Sequence, residues 1–305
     1  MAKSHVVIQF GSKVICIGKC GEPEPLLTHF WSPEVAFNRV IMARLFHSWF
    51  QQPLMVKSTE TDVLVVENVL LPIDKKRLIC QVLLENLSVA NVKFVPDVLM
   101  SLVAGGLRNG IVIDWGWEHL LATPVCDLRV LEREMQVSVK GCEKLCEEIY
   151  KLVDSDVKLE TLLKQAWQDG ERDETIEKVR HLIDQDFIGQ GESECDFDLD
   201  EYPVIQMLRK IYESLALDIR KKLTKNVIVT GLPSWSPELR SRLQDLLPHD
   251  FRIVDTQGPW VGGSLYAELL ITADALQPNK SDVRSTTEQV IKNDWHLRKF
   301  EYLKK

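Results

Sequence analysis

No stretch of this chain approaches the roughly twenty consecutive apolar residues that a bilayer-spanning helix requires, so membrane insertion is not expected. Positive charge is in deficit: 37 Lys and Arg stand against 45 Asp and Glu, a net charge of −8. Nucleic-acid affinity is built mainly from accumulated Lys and Arg, so the balance excludes a general phosphate-backbone binder and nucleic acid is not an expected partner. The seven cysteines are an odd number. Cys16, Cys80 and Cys126 lie inside apolar segments and read as reduced core residues, not as a disulfide framework. Cys16 with Cys20, and Cys142 with Cys146, lack a matching His or second Cys pair nearby, so no metal site is expected. From Asp184 to Glu201 there is no Lys or Arg at all, only acids and glycines among a few other residues. A segment that repels itself and has little to bury reads as a mobile surface loop. The opening Met1-Ala-Lys-Ser-His5 shows neither a secretory apolar region nor an Arg-rich transit sequence, which gives the cytosol or nucleus as the expected compartment.

What is present is a repeated hairpin. With 305 residues, 45% of them hydrophobic, the chain can fill two sizeable cores. Gly110-Ile-Val-Ile-Asp-Trp-Gly-Trp-Glu-His119 is an apolar strand ending in an acid, an aromatic and a glycine before a second apolar run. Val6-Val-Ile-Gln-Phe-Gly-Ser-Lys-Val-Ile-Cys-Ile17 repeats this grammar and sets Gln9 opposite Asp114, Phe10 opposite Trp115 and Gly11 opposite Gly116. A glycine between two β-rich runs supplies the backbone freedom of a tight connection. Two such hairpins about a hundred residues apart point to a duplicated domain with a ligand cleft between the halves.

Along the chain, Gly21-Glu-Pro-Glu-Pro25 reads as a turn. A helix is expected from Pro33 to Phe50, with Ser32 as its cap. Val63–Val66 is expected as a buried strand, Pro72 opens a helix with Leu78, Ile79, Val82 and Leu83 on one face, Val92–Val95 is a strand, and Pro96–Ala104 a helix. After the second hairpin a helix starts at Gly141, and another carries Val204, Met207, Leu208, Ile211 and Leu215. Val227–Gly231 reads as a strand, Pro237–Leu247 as a helix and Phe251–Val254 as a strand. Trp260-Val-Gly-Gly-Ser264 reads as a glycine turn entering a helix over Leu265–Leu270. Strands alternating with helices imply an α/β fold whose sheets are covered on both faces.

These motifs in this order resemble the actin family, within the larger set of actin, chaperone and sugar-kinase ATPases. Gly110-Ile-Val-Ile-Asp114 followed by Pro124 is similar to the family's second phosphate hairpin. Asp218-Ile-Arg-Lys-Lys-Leu-Thr-Lys-Asn226 before Val-Ile-Val-Thr-Gly231 is similar to its helix and strand before the adenosine site, and Trp260-Val-Gly-Gly-Ser264 is nearly its Trp-Ile-Gly-Gly-Ser. The resemblance covers most of Val6–Tyr150 and Val204–Leu270. With Asp200-Glu-Tyr-Pro-Val-Ile205 and the short length, the pattern looks most like the divergent pointed-end branch of that family in dynactin, in its short fungal form. The fold class it implies is α/β, with actin-like twin ribonuclease-H-type domains, a central cleft and reduced peripheral subdomains. The implied division is residues 1–104 plus 258–305 as one half, 105–140 plus 204–257 as the other, and 141–203 as a reduced peripheral subdomain containing the acidic loop 184–201.

The resemblance also carries departures. The first turn has Gln9 in place of the family's metal-ordering Asp, then Gly11-Ser12 and Lys13. The second keeps Asp114 and Gly116 but carries Trp117 and Glu118, large or acidic groups that crowd or repel phosphate. The family's water-positioning Gln aligns with Asp97 and a nearby His with Leu121, so no catalytic residue and no hydrolysis are expected. If a nucleotide is retained, as static ATP or ADP that the protein does not require, the cradle is Gly11, Ser12, Asp114, Gly116, Gly231, Gly262 and Gly263. Taken singly, Gly262-Gly263 before a helix read as permitting close helix packing and Gly231 as a turn, Asp114 could equally cap a turn, and Trp115 and Trp117 read as plugs filling the old cleft. Only His29 to Ala36 stands where the family inserts a pointed-end subdomain, which implies a filament cap whose partners are the actin-related filament subunits of dynactin and its other pointed-end subunits. Such a role belongs to the cytoplasm and cytoskeleton, in dynein-dependent transport, nuclear migration and spindle positioning. A nuclear chromatin-remodelling subunit and a weak actin-type ATPase stay open as alternatives. The basic, aromatic segment with Trp295, Arg298, Lys299 and Phe300 reads either as a docking element for an acidic neighbour or as a terminal helix folded onto its own core.

Overall fold

Five strands build the first sheet: β1 (Ser4–Phe10), β2 (Val14–Lys19), β3 (Leu27–Phe30), β4 (Thr61–Glu67) and β5 (Asn91–Pro96), in the order β3-β2-β1-β4-β5. The computed structural model describes residues 3–32, 37–153, 159–167, 174–189, 198, 200–231, 236–275 and 284–295. β1 pairs antiparallel with β2 and parallel with β4, so the hairpin is followed by crossovers through helices. Because side chains alternate along a strand, β1 and β4 feed two cores at once. Val6, Ile8, Phe10, Val63 and Val65 pack with Phe46, Trp49 and Ile79 on one face. Val7, Leu64 and Val66 pack with Val95, Met100 and Trp260 on the other. Continuous apolar runs such as Val63–Val66 therefore mark strands buried on both faces.

The second sheet repeats the plan with β6 (Gly110–Trp115), β7 (Leu120–Cys126), β8 (Arg129–Val130), β9 (Gln136–Ser138), β10 (Val227–Gly231) and β11 (Ile253–Val254). Its order is β11-β10-β6-β7-β8, with β9 also on β7. β6 pairs antiparallel with β7 and parallel with β10, the relations that β1 has to β2 and β4. The architecture is thus two mixed sheets of matching plan in an α/β fold. The chain divides into two compact units, Met1–Ala104 with Gln257–Lys305, and Gly105–Thr256.

Several local expectations are corrected. Among the described residues the first helix runs over Arg39–Gln51, and its cap is Asn38, whose Oδ1 accepts from Val40 N and Ile41 N at 3.0 and 3.2 Å. The expected start at Pro33 lies outside the described residues. His29 belongs to the four-residue edge strand β3 and not to the connection beyond it. Trp260-Val-Gly-Gly-Ser264 is no turn: it lies inside the Pro259–Ala275 helix. The acidic stretch is not all loop either. Its first residues continue the Glu174–Leu182 helix as a π-helical turn, Ile183–Ile188, with Phe187 and Ile188 in the second unit's core. Asp184 there is buried and takes bonds from Arg242 Nε at 3.0 Å and Nη2 at 2.7 Å. The neutralising cation lies 58 residues away, which is why the segment looked unpartnered. Residues 190–197 and 199 lie outside the described residues.

Candidate functional site

The twin turns are superposable in their hydrogen bonding. Gly11 N donates to Val14 O at 2.9 Å, and Gly116 N donates to His119 O at 3.0 Å. Phe10 pairs with Ile15 as Trp115 pairs with Leu120, and Gln9 pairs with Cys16 as Asp114 pairs with Leu121. The alignment of the two copies by their glycines is therefore also the alignment of their geometry.

What surrounds each turn is specific to it. In the first, Trp31 folds back, its Nε1 donating to Gly11 O at 3.2 Å and its backbone N to Lys13 O at 3.0 Å. In the second, the turn docks on the start of the Cys142–Leu152 helix: Cys142 N donates to Gly116 O at 2.9 Å and Glu143 N to Trp117 O at 3.0 Å. Amides of a helix's first turn have no intrahelical acceptor and can serve as an anion site. Here the turn's own carbonyls take two of them. Trp117 completes the contact, its Nε1 donating to Glu143 Oε1 at 3.1 Å. Trp115 is fully buried and stacks on Phe187 at 6.2 Å between ring centroids. It belongs to the second unit's own core, which corrects its reading as a cleft plug: strand alternation sends it to the same face as Ile111 and Ile113.

Asp114 Oδ1 accepts from Thr230 Oγ1 at 3.1 Å, across the β6–β10 pairing that sets Gly231 beside Trp115. Gly231 has φ +76°, and a Cβ there would stand 2.1 Å from Trp115 O, so both the conformation and the approach demand glycine. The Trp260–Ser264 motif is used throughout for packing. Trp260 lies against Gly18 and donates from Nε1 to Val7 O at 3.1 Å. A Cβ on Gly262 would stand 1.8 Å from Met100 O, and one on Gly263 would stand 2.5 Å from Val66 Cγ2. Ser264 Oγ accepts from Gly21 N at 2.9 Å and donates to Glu22 O at 3.1 Å, fixing the bend after β2. The two glycines let this helix lie directly on the Asp97–Ala104 helix and on the sheet.

Asp97 opens that helix. Its Oδ1 accepts from Val98 N at 2.7 Å and its Oδ2 from Asn68 Nδ2 at 3.3 Å. Leu121 is buried across from Asp114. Among the described residues, no group of three or more His, Cys, Asp and Glu stands together as a metal site. No helix among them is long and apolar enough to cross a membrane.

One cluster escaped the sequence reading. At the end of β4, Glu67 Oε1 accepts from Lys76 Nζ at 2.7 Å and from Trp295 Nε1 at 2.6 Å, and Lys76 also reaches Asp294 Oδ2 at 3.0 Å. Burial pushes the Glu67 carboxyl up to about 7, with Asp294 adding to the rise and Lys76 and Trp295 opposing it. The only sequence signal was Lys76 itself, three residues before Ile79 on the buried face of its helix. Trp295 is half-buried and spends its indole N–H on this cluster, so the folded-back reading describes it. Arg298, Lys299 and Phe300 lie outside the described residues.

Comparison with known proteins agrees with this architecture. The actin family model matches residues 35–193, more than half of the chain. The chain is 25% identical to the actin-like protein ARP10 of Saccharomyces cerevisiae, over 89% of this chain and 87% of that protein. It is 24% identical to actin-related protein 2 of the same yeast, over 65% of this chain and 58% of that protein. Its twin hairpins, its two sheets of matching order and this family match place the chain in the actin family.

Proposed function

We propose that the chain is a non-catalytic structural subunit that caps the pointed end of the short actin-like filament of dynactin, in support of dynein-dependent transport, nuclear migration and spindle positioning. The observation that carries this reading is the connection between β3, ending at Phe30, and the helix beginning at Arg39. In the actin family a peripheral subdomain with a protruding loop is inserted there, and residues 31–38 are too few to form one. The second peripheral subdomain, at 141–203, is retained in reduced form. In family filaments these two subdomains make the pointed-end face, while the large subdomains make the barbed-end face. A subunit with a full barbed-end face and a trimmed pointed-end face joins a pointed end and offers little to the next subunit.

The non-catalytic half of the proposal rests on Asp97 and Leu121. An attacking water needs a group that orients it, and the Asp97 carboxyl is committed to Val98 N and Asn68, while Leu121 has no polar atom. ATP or ADP, where held, is a static ligand in a cradle of Gly11, Ser12, Asp114, Gly116, Gly231, Gly262 and Gly263. Seeded elongation tests the cap directly. Purified chain added to filaments of dynactin's actin-related subunit is expected to stop growth at pointed ends and leave barbed ends growing. Unchanged pointed-end growth, or block of barbed ends alone, would overturn the proposal.

A further inference from the structure

The cluster at the end of β4 ties the chain's last described residues to the first unit's core, and its four members are held very unequally. Glu67 stands on a central strand, beside Phe10 of β1 and Pro96 of β5. Lys76 lies on the Ile73–Cys80 helix, whose Ile79 and Cys80 are fully buried in that core. Asp294 and Trp295 follow the short Thr287–Lys292 helix, which is fastened by a capping box at Thr286 and by Val290 and Ile291 in the core. Past that helix, Asn293 N donates to Gln289 O and Asp294 N to Ile291 O, both at 3.1 Å. The two side chains then reach inward, Asp294 Oδ2 to Lys76 Nζ at 3.0 Å and Trp295 Nε1 to Glu67 Oε1 at 2.6 Å, with the Lys76 ammonium 5.5 Å from the Trp295 ring centroid.

With both carboxyls ionised, one buried ammonium faces two buried carboxylates. The surrounding groups do not restore the balance. Burial pushes the neighbouring Cys80 thiol up to about 12, so it stays neutral, and Glu85 beyond it is paired with Arg39 at 3.0 Å. Phe10 and Pro96 carry no charge, while Glu288 and Lys292 of the terminal helix are exposed. Among the described residues Glu67 Oε2 is buried without a hydrogen-bond partner, a place that suits a neutral carboxyl far better than a carboxylate. Burial accordingly raises Glu67 to about 7. When Glu67 ionises, the least disruptive relief is the departure of Asp294 and Trp295. Glu67 and Lys76 are fixed by the sheet and a core helix, whereas this departure breaks few bonds, puts Asp294 in water and leaves Lys76 to serve Glu67 alone.

We propose that Glu67, Lys76, Asp294 and Trp295 form a pH-operated clasp on the terminal segment, which holds residues 293–295 on the fold while Glu67 is protonated and releases them when Glu67 is charged. Glu67 binds its proton more tightly in the closed clasp than in the open one. Opening therefore rises with pH from the ordinary carboxyl value of 4.5 to about 7 and levels off above that. The opening is local, in a protein whose sheet stays folded. The inference stands independently of the filament-end reading.

Amide hydrogen exchange of the full chain under native conditions, read by mass spectrometry on a peptide spanning residues 287–295, tests it. The same peptide from Glu67→Gln, which mimics the protonated carboxyl, is measured in each buffer, so that the intrinsic pH dependence of exchange cancels in the ratio. The natural chain should exchange at about the variant's rate near pH 5 and about tenfold faster or more near pH 8. Amides of β4 should stay equally protected in both proteins. Asp294→Asn, which removes the second carboxylate and keeps an oxygen for Lys76, supplies the same comparison should Glu67→Gln misfold, and the ratio to it should climb with pH in the same way. A ratio that is flat or falls with pH, or a rise shared equally by the β4 amides, would overturn the proposal.

Discussion

Replacing Glu67 by Gln should remove a pH dependence that the fold itself creates. Lys76 Nζ stands 2.7 Å from Glu67 Oε1 and 3.0 Å from Asp294 Oδ2, with all of these side chains at most 1% exposed. Two buried carboxylates share one ammonium, so one of them is in excess, and burial with a like charge nearby favours its protonated form. The Glu67 carboxyl is accordingly raised from 4.5 to about 7. A folded-state pKa above the unfolded one contributes stability that is fully present below the unfolded value and is lost as pH rises through the folded value. Here that window runs from 4.5 to about 7, and at 1.36 kcal/mol per unit it corresponds to about 3 kcal/mol. Glu67→Gln removes the titration and keeps an oxygen where Lys76 and Trp295 both donate. Urea unfolding of both proteins, from about pH 4.5 to about pH 8, reads the difference. The natural chain should lose about 3 kcal/mol relative to the variant as pH rises, most steeply between 4.5 and about 7, and the difference should level off above that. A difference that is flat with pH, or that favours the natural chain at high pH, would refute the reasoning.

Gly262→Ala puts a methyl group 1.8 Å from Met100 O, so the helix must shift, at a cost of about 1–3 kcal/mol; thermal unfolding should show a lower midpoint, and an unchanged one would mean the helices do not pack this closely. Removing the chain from Trp295 onward deletes the indole that bonds Glu67 at 2.6 Å. The truncated protein should lose about 2–4 kcal/mol in chemical denaturation, whereas a segment serving only to dock a partner would leave stability untouched. Asp184→Ala takes from Arg242, which is 19% exposed, the carboxylate that its Nε and Nη2 bond. The loss should be about 2–4 kcal/mol, below that of a fully buried pair. Adding Arg242→Met to Asp184→Ala should recover part of it, and a double variant no more stable than the single one would contradict the pairing.

The parts legible in the sequence were those written in local pattern. Gly11 and Gly116 each sit between apolar runs, and the hairpins form there in equivalent register. The continuous run Val63–Val66 became a strand buried on both faces because strand alternation supplies two cores from one segment. What escaped depends on partners distant along the chain. Asp184 reads as one acid in an acidic stretch until Arg242 closes on it, and Glu67 gains its meaning from Asp294 and Trp295, more than two hundred residues later. Gly262-Gly263 reads as a turn because glycine disfavours helices; close contact with Met100 and Val66 overrides that preference. Helix propensity describes a segment alone, whereas here the neighbouring backbone decides.

The filament-end claim is tested most directly by seeing where the chain sits. Electron microscopy of the assembled complex, with a density tag on this chain, should place the tag at one end of the actin-like filament, and that end should be the pointed one. A tag along the filament's sides, at its barbed end, or in an assembly without a filament would contradict the account.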